Sequence, residues 1–200
     1  MLITINNKFF TDNSHEANDK VSFVYSKDTK QYIQNAKENG CVECIQSSSL
    51  KDLVDFSSIS IVGITGTNGK TTTAAAIYSI LLDLGYKVAL QGTRGFFIND
   101  ERIEEYSLTT PVQLSNFEHI LKAQEEGCQF FVMEVSSHAI VQNRIEGLKF
   151  ALKILTNIII IRLKSILLLK THFFKMIRLN LLTKMIKRQN TISKMVLPTL

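Results

Sequence analysis

Apolar and polar positions alternate between two periods along the first three quarters of the chain. "SSISIVGI" (57–64) is a short β-branched run, the pattern of a buried parallel strand. "TTTAAAIYSILLDLGYK" (71–87) sets Ile77, Ile80, Leu81 and Leu84 at i, i+3, i+4 and i+7, which predicts a helix with those four residues inward and Gly85 as its C-cap. "KVAL" (87–90) reads as a second strand. "VQLSNFEHILKAQEEG" (112–127) reads as a second helix, burying Leu114, Phe117, Ile120 and Leu121 and closed by Gly127. "QFFVMEV" (129–135) reads as a third strand. Strand and helix alternate, so the expected architecture is α/β, a doubly wound and mostly parallel sheet. Upstream, the strand "VSFVYS" (21–26) and the polar helix "DTKQYIQNAKENG" (28–40) suggest a small α/β unit. The expected organisation is a small N-terminal α/β domain (1–56), a central domain (57–157) and a tail (158–200).

Charge sharpens the last boundary. The net charge of +5 is unevenly spread: residues 151–200 hold ten Lys or Arg and no Asp or Glu, leaving 13 basic and 18 acidic residues before them. The apolar run at 158–169 is broken by Arg162 and Lys164 and falls short of the ~20 residues of a spanning helix. Nucleic-acid binding has only charge in its favour, without interleaved aromatics. The N-terminus lacks a basic segment followed by an apolar stretch, so no signal peptide is expected. Three cysteines suit a reducing compartment, and the expected location is cytoplasmic. Cys41 and Cys44 form a CxxC, but no second half-site completes a zinc set.

Chemistry concentrates in "GITGTNGKTTT" (63–73), between a strand and a helix. Gly66 and Gly69 leave the backbone without Cβ atoms, so N–H groups can face phosphate oxygens, and the helix N-terminus adds partial positive charge. Lys70 would reach the terminal phosphates and act catalytically, and the Thr71 hydroxyl would ligate Mg²⁺. The general phosphate-loop spacing asks for glycine at 64, where this chain has Ile64. In "VMEVSSHAIVQNR" (132–144), Glu134 ends a strand at the sheet edge where open α/β folds bind ligands, and a carboxylate there suits Mg²⁺. Ser136, Ser137 and His138 follow, but no nucleophile elbow surrounds the serines. "SLTTPVQ" (107–113) reads from its residues alone as a helix start, with threonine as N-cap and Pro111 in the first turn.

Together, "TGTNGKTT", "TTP" and "MEVSSHAIVQNR" resemble the Mur ligases, ATP-dependent enzymes that build the peptide stem of peptidoglycan. The branch resembled adds the third residue, meso-diaminopimelate or L-lysine, to UDP-N-acetylmuramoyl-L-alanyl-D-glutamate. Folylpolyglutamate synthases share the fold but usually continue Gly-Lys-Gly-Ser. The resemblance implies ATP binding by Gly66, Thr67, Asn68, Gly69, Lys70, Thr71 and Thr72. It also implies Mg²⁺-associated positions at Glu134 and His138 beside Thr71. The UDP-muramoyl substrate would be held by Thr109, Thr110, Ser136, Gln142 and Arg144. "TDNSHEANDK" looks like a worn form of the family's Asp-Ser-Arg segment, with Ser14 at the serine and His15 where arginine is usual. The implied reaction phosphorylates the D-glutamyl carboxyl from ATP, after which an amino acid's amine attacks the acyl phosphate. A cytoplasmic monomer is implied, with no nucleic-acid or membrane partner.

The resemblance stops after "ILTN" (154–157), which implies an incomplete doubly wound central domain over 57–157. Back-translated with A/T-leaning codons and read from the third base, residues 170–199 permit acidic, turn-punctuated text resembling the family's continuation. Met176 and Met185, which have single codons, fall in Asp-encoding places. The tail is therefore expected to be out of frame, disordered or poorly packed, and the polypeptide not a competent ligase. The shifted text also holds the lysine that the family carbamylates to bind Mg²⁺. Two other readings stay open: a stand-alone ATP-binding module, and a membrane-associated P-loop protein using a genuine basic tail.

Overall fold

The computed structural model describes residues 1–105 and 108–156, so the tail expectation and the tail boundary lie outside the described residues. Four short strands form the first sheet: β1 (Leu2–Ile5), β2 (Lys8–Thr11), β3 (Val21–Tyr25) and β4 (Cys44–Gln46), in the order β1-β2-β3-β4. β1 and β2 form an antiparallel hairpin, turned by Asn6 and Asn7 at positive φ, and β3 and β4 add in parallel. The helix expected at 28–40 resolves into a 3-10 turn, Lys30–Tyr32, and α1 (Ile33–Glu38).

Among the described residues the second sheet has six strands: β5 (Ser60–Gly66), β6 (Val88–Gly92), β7 (Gly95–Ile98), β8 (Glu101–Glu104), β9 (Phe130–Glu134) and β10 (Phe150–Thr156). Their spatial order is β10-β5-β9-β6-β7-β8. The first four are mutually parallel, and β7 and β8 extend the sheet as antiparallel neighbours. The α/β expectation is met, with an antiparallel edge that the sequence pattern did not announce.

The parallel strands are apolar on both faces because a helix covers each. α2 (Lys70–Asp83) packs Ala74, Ile77, Tyr78 and Leu81 on Val62, Ile64, Val88 and Val132. α3 (Gln113–Glu125) packs Leu114, Phe117, Ile120 and Ala123 into the opposite core, with Ile61, Ala89, Phe131 and Met133. That core also takes Ile3, Ile5, Phe10, Val24 and Leu50, so α3 lies between the two sheets. Burying one side chain such as Phe117 contributes about 1.5–3 kcal/mol.

One expectation needs correcting. Ile80 and Leu84 are 58% and 67% exposed. The small Ala74 lets α2 approach the sheet closely, which turns the 74–77–78–81 stripe inward and leaves 80 and 84 on the outer side. Gly85 (φ +82) and Gly127 (φ +74) end α2 and α3 in the left-handed conformation, as expected of C-cap glycines.

Candidate nucleotide and substrate site

Parallel pairing brings the carboxyl ends of four strands to one edge of the second sheet. Gly66 faces Thr156 across β5 and β10, and Ile64 faces Glu134 across β5 and β9. Ligands bind at this edge in open α/β sheets. Loop 66–69 leads into α2 through Gly69, whose φ of +81 no β-branched residue would tolerate. A Cβ on Gly66 would collide with the carbonyl and hydroxyl oxygens of Thr156, so only glycine permits that approach. Thr156 braces the loop: its Oγ1 lies 2.6 Å from the Asn68 carbonyl oxygen and 3.3 Å from that of Thr65. Thr67, Asn68 and Gly69 are exposed, with Thr72 exposed on the first turn of α2. Lys70 Nζ donates to the carbonyls of Gly66 (2.9 Å) and Thr67 (3.4 Å), holding its charge over the loop.

Glu134 is 1% exposed, at the end of β9. Its Oε2 accepts from Thr71 Oγ1 (2.9 Å), and its Oε1 accepts from the Thr93 backbone N–H (2.9 Å). A Cβ on Gly92 would run into the Glu134 carboxylate, so the glycine at the end of β6 makes room for it. Thr71 and Glu134 present hydroxyl and carboxylate oxygens side by side, a donor set that fits a hard divalent cation such as Mg²⁺. The glycine-lined loop and adjacent helix N-terminus fit a nucleotide's phosphates. Among the described residues no group of three or more His, Cys, Asp or Glu side chains converges on a metal position. His138 is exposed on the short helix α4 (Ser137–Val141). A concave space of about 190 Å³ opens beside this pair, bordered by Thr71, Tyr78, Gly92, Arg94, Phe97 and Glu134. Burial pushes the Tyr78 phenol up to about 12, so it is a neutral wall residue at physiological pH.

The threonine turn reaches the same edge. Thr110, 1% exposed, donates from Oγ1 to the Glu134 carbonyl (2.9 Å) and accepts there from the Ser136 N–H (2.9 Å). Thr109 Oγ1 lies 3.1 Å from Thr93 Oγ1, and Thr93 Oγ1 is 3.4 Å from Glu134 Oε2. The Arg144 guanidinium donates to the Thr110 carbonyl (2.8 Å), tying the turn after α4 to the threonine turn. Ser136 caps α4, its Oγ accepting from the Ala139 N–H (3.1 Å). The helix start read at Thr-Thr-Pro lies elsewhere: α3 begins at Gln113 with Val112 as N-cap, and Pro111 stands outside it. The Thr110 hydroxyl is committed to the Glu134 carbonyl and the Ser136 N–H, and that of Thr109 faces Thr93, leaving neither to cap the helix.

Lys70, Thr71, Thr109, Thr110, Glu134, Ser136 and Arg144 thus gather at one sheet edge. Gln142 is exposed just past α4. Ser14 is buried in the β2–β3 loop of the first sheet, its carbonyl accepting from Asn39 Nδ2 (3.0 Å). Sequence reasoning missed Gly92, Thr93 and Thr156. The dipeptide Gly92-Thr93, one residue past the strand predicted at 87–90, was the available signal for two of them. Among the described residues no helix is long and apolar enough to cross a membrane.

Comparison with known proteins agrees with this geometry. Residues 64–160 match the Mur ligase middle domain. A Wolinella succinogenes protein named UDP-N-acetylmuramoyl-L-alanyl-D-glutamate--2,6-diaminopimelate ligase is 58% identical over 153 residues, covering 76% of this chain and 35% of that protein. A Helicobacter pylori protein of the same name is 50% identical over 153 residues, covering 75% and 34%. The chain therefore spans about a third of the length of the curated relatives it matches. A solved structure of a ligase with that name superposes with a TM-score of 0.62 at 21% identity, over 78% of this chain and 37% of the other, and so shares its fold. The strand–loop–helix with its glycines, the Thr71–Glu134 pair and the match over 64–160 identify residues 64–160 as a Mur ligase middle domain.

Proposed function

We propose that the chain carries the ATP- and muramoyl-nucleotide-binding part of an ATP-dependent amide ligase of peptidoglycan precursor synthesis. The residue added to UDP-N-acetylmuramoyl-L-alanyl-D-glutamate is 2,6-diaminopimelate, in keeping with the names of its relatives. The observation that carries this reading is the Thr71–Glu134 contact at the mouth of the glycine loop. Bound ATP supplies the phosphoryl group that activates the D-glutamyl carboxyl, and Mg²⁺ neutralises charge on the phosphates. The chain's own residues then have distinct tasks. Lys70 steers the terminal phosphate and offsets its charge, and loop N–H groups fix its orientation. Thr71 and Glu134 would hold the cation, with His138 contributing from α4. Arg144, a fork-shaped cation, grips an anionic group of the muramoyl nucleotide, assisted by Thr109, Thr110, Ser136 and Gln142. Ser14 meets the uridine nucleotide from domain 1–56. Domains are assigned as 1–56, 57–157 and 158–200, and the protein acts as a cytoplasmic monomer. From the reading of residues 158–200 as out-of-frame text, we propose that the 200-residue polypeptide binds without turning over.

The test is equilibrium binding to the purified 200-residue chain by calorimetry, with ATP·Mg²⁺ and with UDP-N-acetylmuramoyl-L-alanyl-D-glutamate as separate ligands. Both should bind, Lys70→Ala should abolish the first and Arg144→Ala the second. Failure of the wild-type chain to bind ATP·Mg²⁺ overturns the reading. Steady ligated product would overturn the no-turnover proposal alone.

A further inference from the structure

A string of buried polar side chains crosses the core beneath the threonine turn. Gln91 and Asn116 are fully buried and His119 is 3% exposed. Asn116 Nδ2 reaches two backbone carbonyls, those of Pro111 (3.1 Å) and Arg144 (2.8 Å). Carbonyls only accept, so the amide nitrogen of Asn116 must face them and its Oδ1 must face Gln91. Gln91 Nε2 donates to that oxygen (2.7 Å), which turns Gln91 Oε1 toward His119 Nδ1 (2.7 Å). The ring is therefore protonated at Nδ1. Its other nitrogen lies 3.1 Å from the Glu104 carboxylate at the end of β8, and Phe96 stacks on its face at 4.1 Å. Every donor in the string points one way, toward the two turns.

Those two carbonyls belong to the turns that carry Thr109-Thr110 and Arg144. Both turns are irregular backbone, and Asn116 is the side chain on the rigid helix that reaches each of them. A buried polar group in the middle of an apolar helix face is costly unless fully bonded, and this one uses both donors on loop carbonyls. We propose that Asn116 is a positioning residue for the muramoyl-nucleotide subsite: it clamps the 109–111 turn to the 143–145 turn, and Gln91 and His119 fix the direction of its amide. The proposal rests on the reading of Thr110 and Arg144 as substrate-binding residues.

The test uses the full 200-residue chain with Asn116→Asp, which keeps the shape but turns lone pairs toward both carbonyls. Asn116→Ala, which leaves a small space instead of a charge, stands in should the first not fold. Amide hydrogen exchange is read first and needs no ligand. The Ser136 and Arg144 amides should exchange at least about 10-fold faster, while β5, β9 and α2 keep their protection. Affinity for UDP-N-acetylmuramoyl-L-alanyl-D-glutamate should then fall about 10-fold or more, with ATP·Mg²⁺ affinity within about 2-fold of wild type. Uniform loss of protection, unchanged exchange in the two turns, or parallel loss of both affinities overturns the proposal. Should the wild-type chain bind no muramoyl nucleotide, the substrate reading fails, and the exchange result still decides whether Asn116 clamps the turns.

Discussion

The Thr71 hydroxyl and the Glu134 carboxylate lie 2.9 Å apart although 63 positions separate them along the chain. Parallel pairing of β5 with β9 creates this contact, because it sets Glu134 beside Ile64, just ahead of the phosphate loop. The carboxylate also accepts from the Thr93 N–H, so the first turn of α2 and the β6–β7 turn converge on one side chain.

Glu134→Gln should therefore weaken Mg²⁺-dependent nucleotide binding by roughly 10–100-fold, the usual range for disturbing a metal site's supporting groups. The amide can still accept from the Thr93 N–H and donate to the Thr71 oxygen, so what the substitution removes is the negative charge and the second oxygen that suit a hard divalent cation. Calorimetric titration of ATP with and without Mg²⁺ checks this. A variant that loses affinity equally in the absence of metal would show that Glu134 does not act through the cation.

Gly92→Ala should displace the same carboxylate from the β6 side, since the added Cβ would sit 2.8 Å from Glu134 Cγ and Cδ. A cost of about 1–3 kcal/mol is expected from overpacking. The two effects separate cleanly: thermal melts report the stability loss, and Mg²⁺ titration reports the displaced ligand. Unchanged Mg²⁺ dependence would mean that the carboxylate has another place to go.

Stability should fall as pH drops below the ordinary histidine range, partly through His119. Burial lowers its proton affinity from the usual 6.5, and Glu104 opposes this only in part; Lys122 nearby also disfavours the charge. The unfolded chain thus takes up a proton at a pH where the folded chain does not. The contribution is fully present above 6.5 and is lost as pH falls from 6.5 toward the lowered folded value. Urea melts between pH 7.5 and pH 5 should show this slope, and His119→Gln should flatten it. An identical slope in that variant would assign the effect elsewhere.

Phe117→Ala should destabilise the described fold by about 3–5 kcal/mol. The ring is fully buried, meets Phe56 edge-on with centroids 5.2 Å apart, and lies in a core that includes residues from both sheets. One cooperative transition at lower temperature is expected for both sheets. Separate transitions would show that α3 does not unite them.

Much of the central region was legible from local pattern. β5, α2, α3 and β9 announce themselves by period, and Gly85 and Gly127 by their position after an apolar helix stripe. The phosphate loop is legible for the same reason, because its glycines, Lys70 and Thr71 are contiguous and their chemistry is local. Asn116 and His119 were not legible as core. They are polar, and only the helix phase, shared with Ile120 and Ala123, marked them as inward. Ile80 and Leu84 misled in the opposite direction: the stripe 77–81 belongs equally to two overlapping helix faces, and hydrophobicity alone could not choose.

The sequence by itself determined the local conformations and the residues able to carry phosphate and cation chemistry, since glycine φ, helix caps and strand periods depend on near neighbours. Tertiary structure alone decided which of those residues meet. Sheet register put Glu134 beside Thr71, Gly92 gave its carboxylate room, and Asn116 joined the turns of Thr110 and Arg144. Apart from Asn116 and the nearby threonine turn, those partners lie tens of positions apart, and their contacts exist only because strands pair side by side and a helix packs across them.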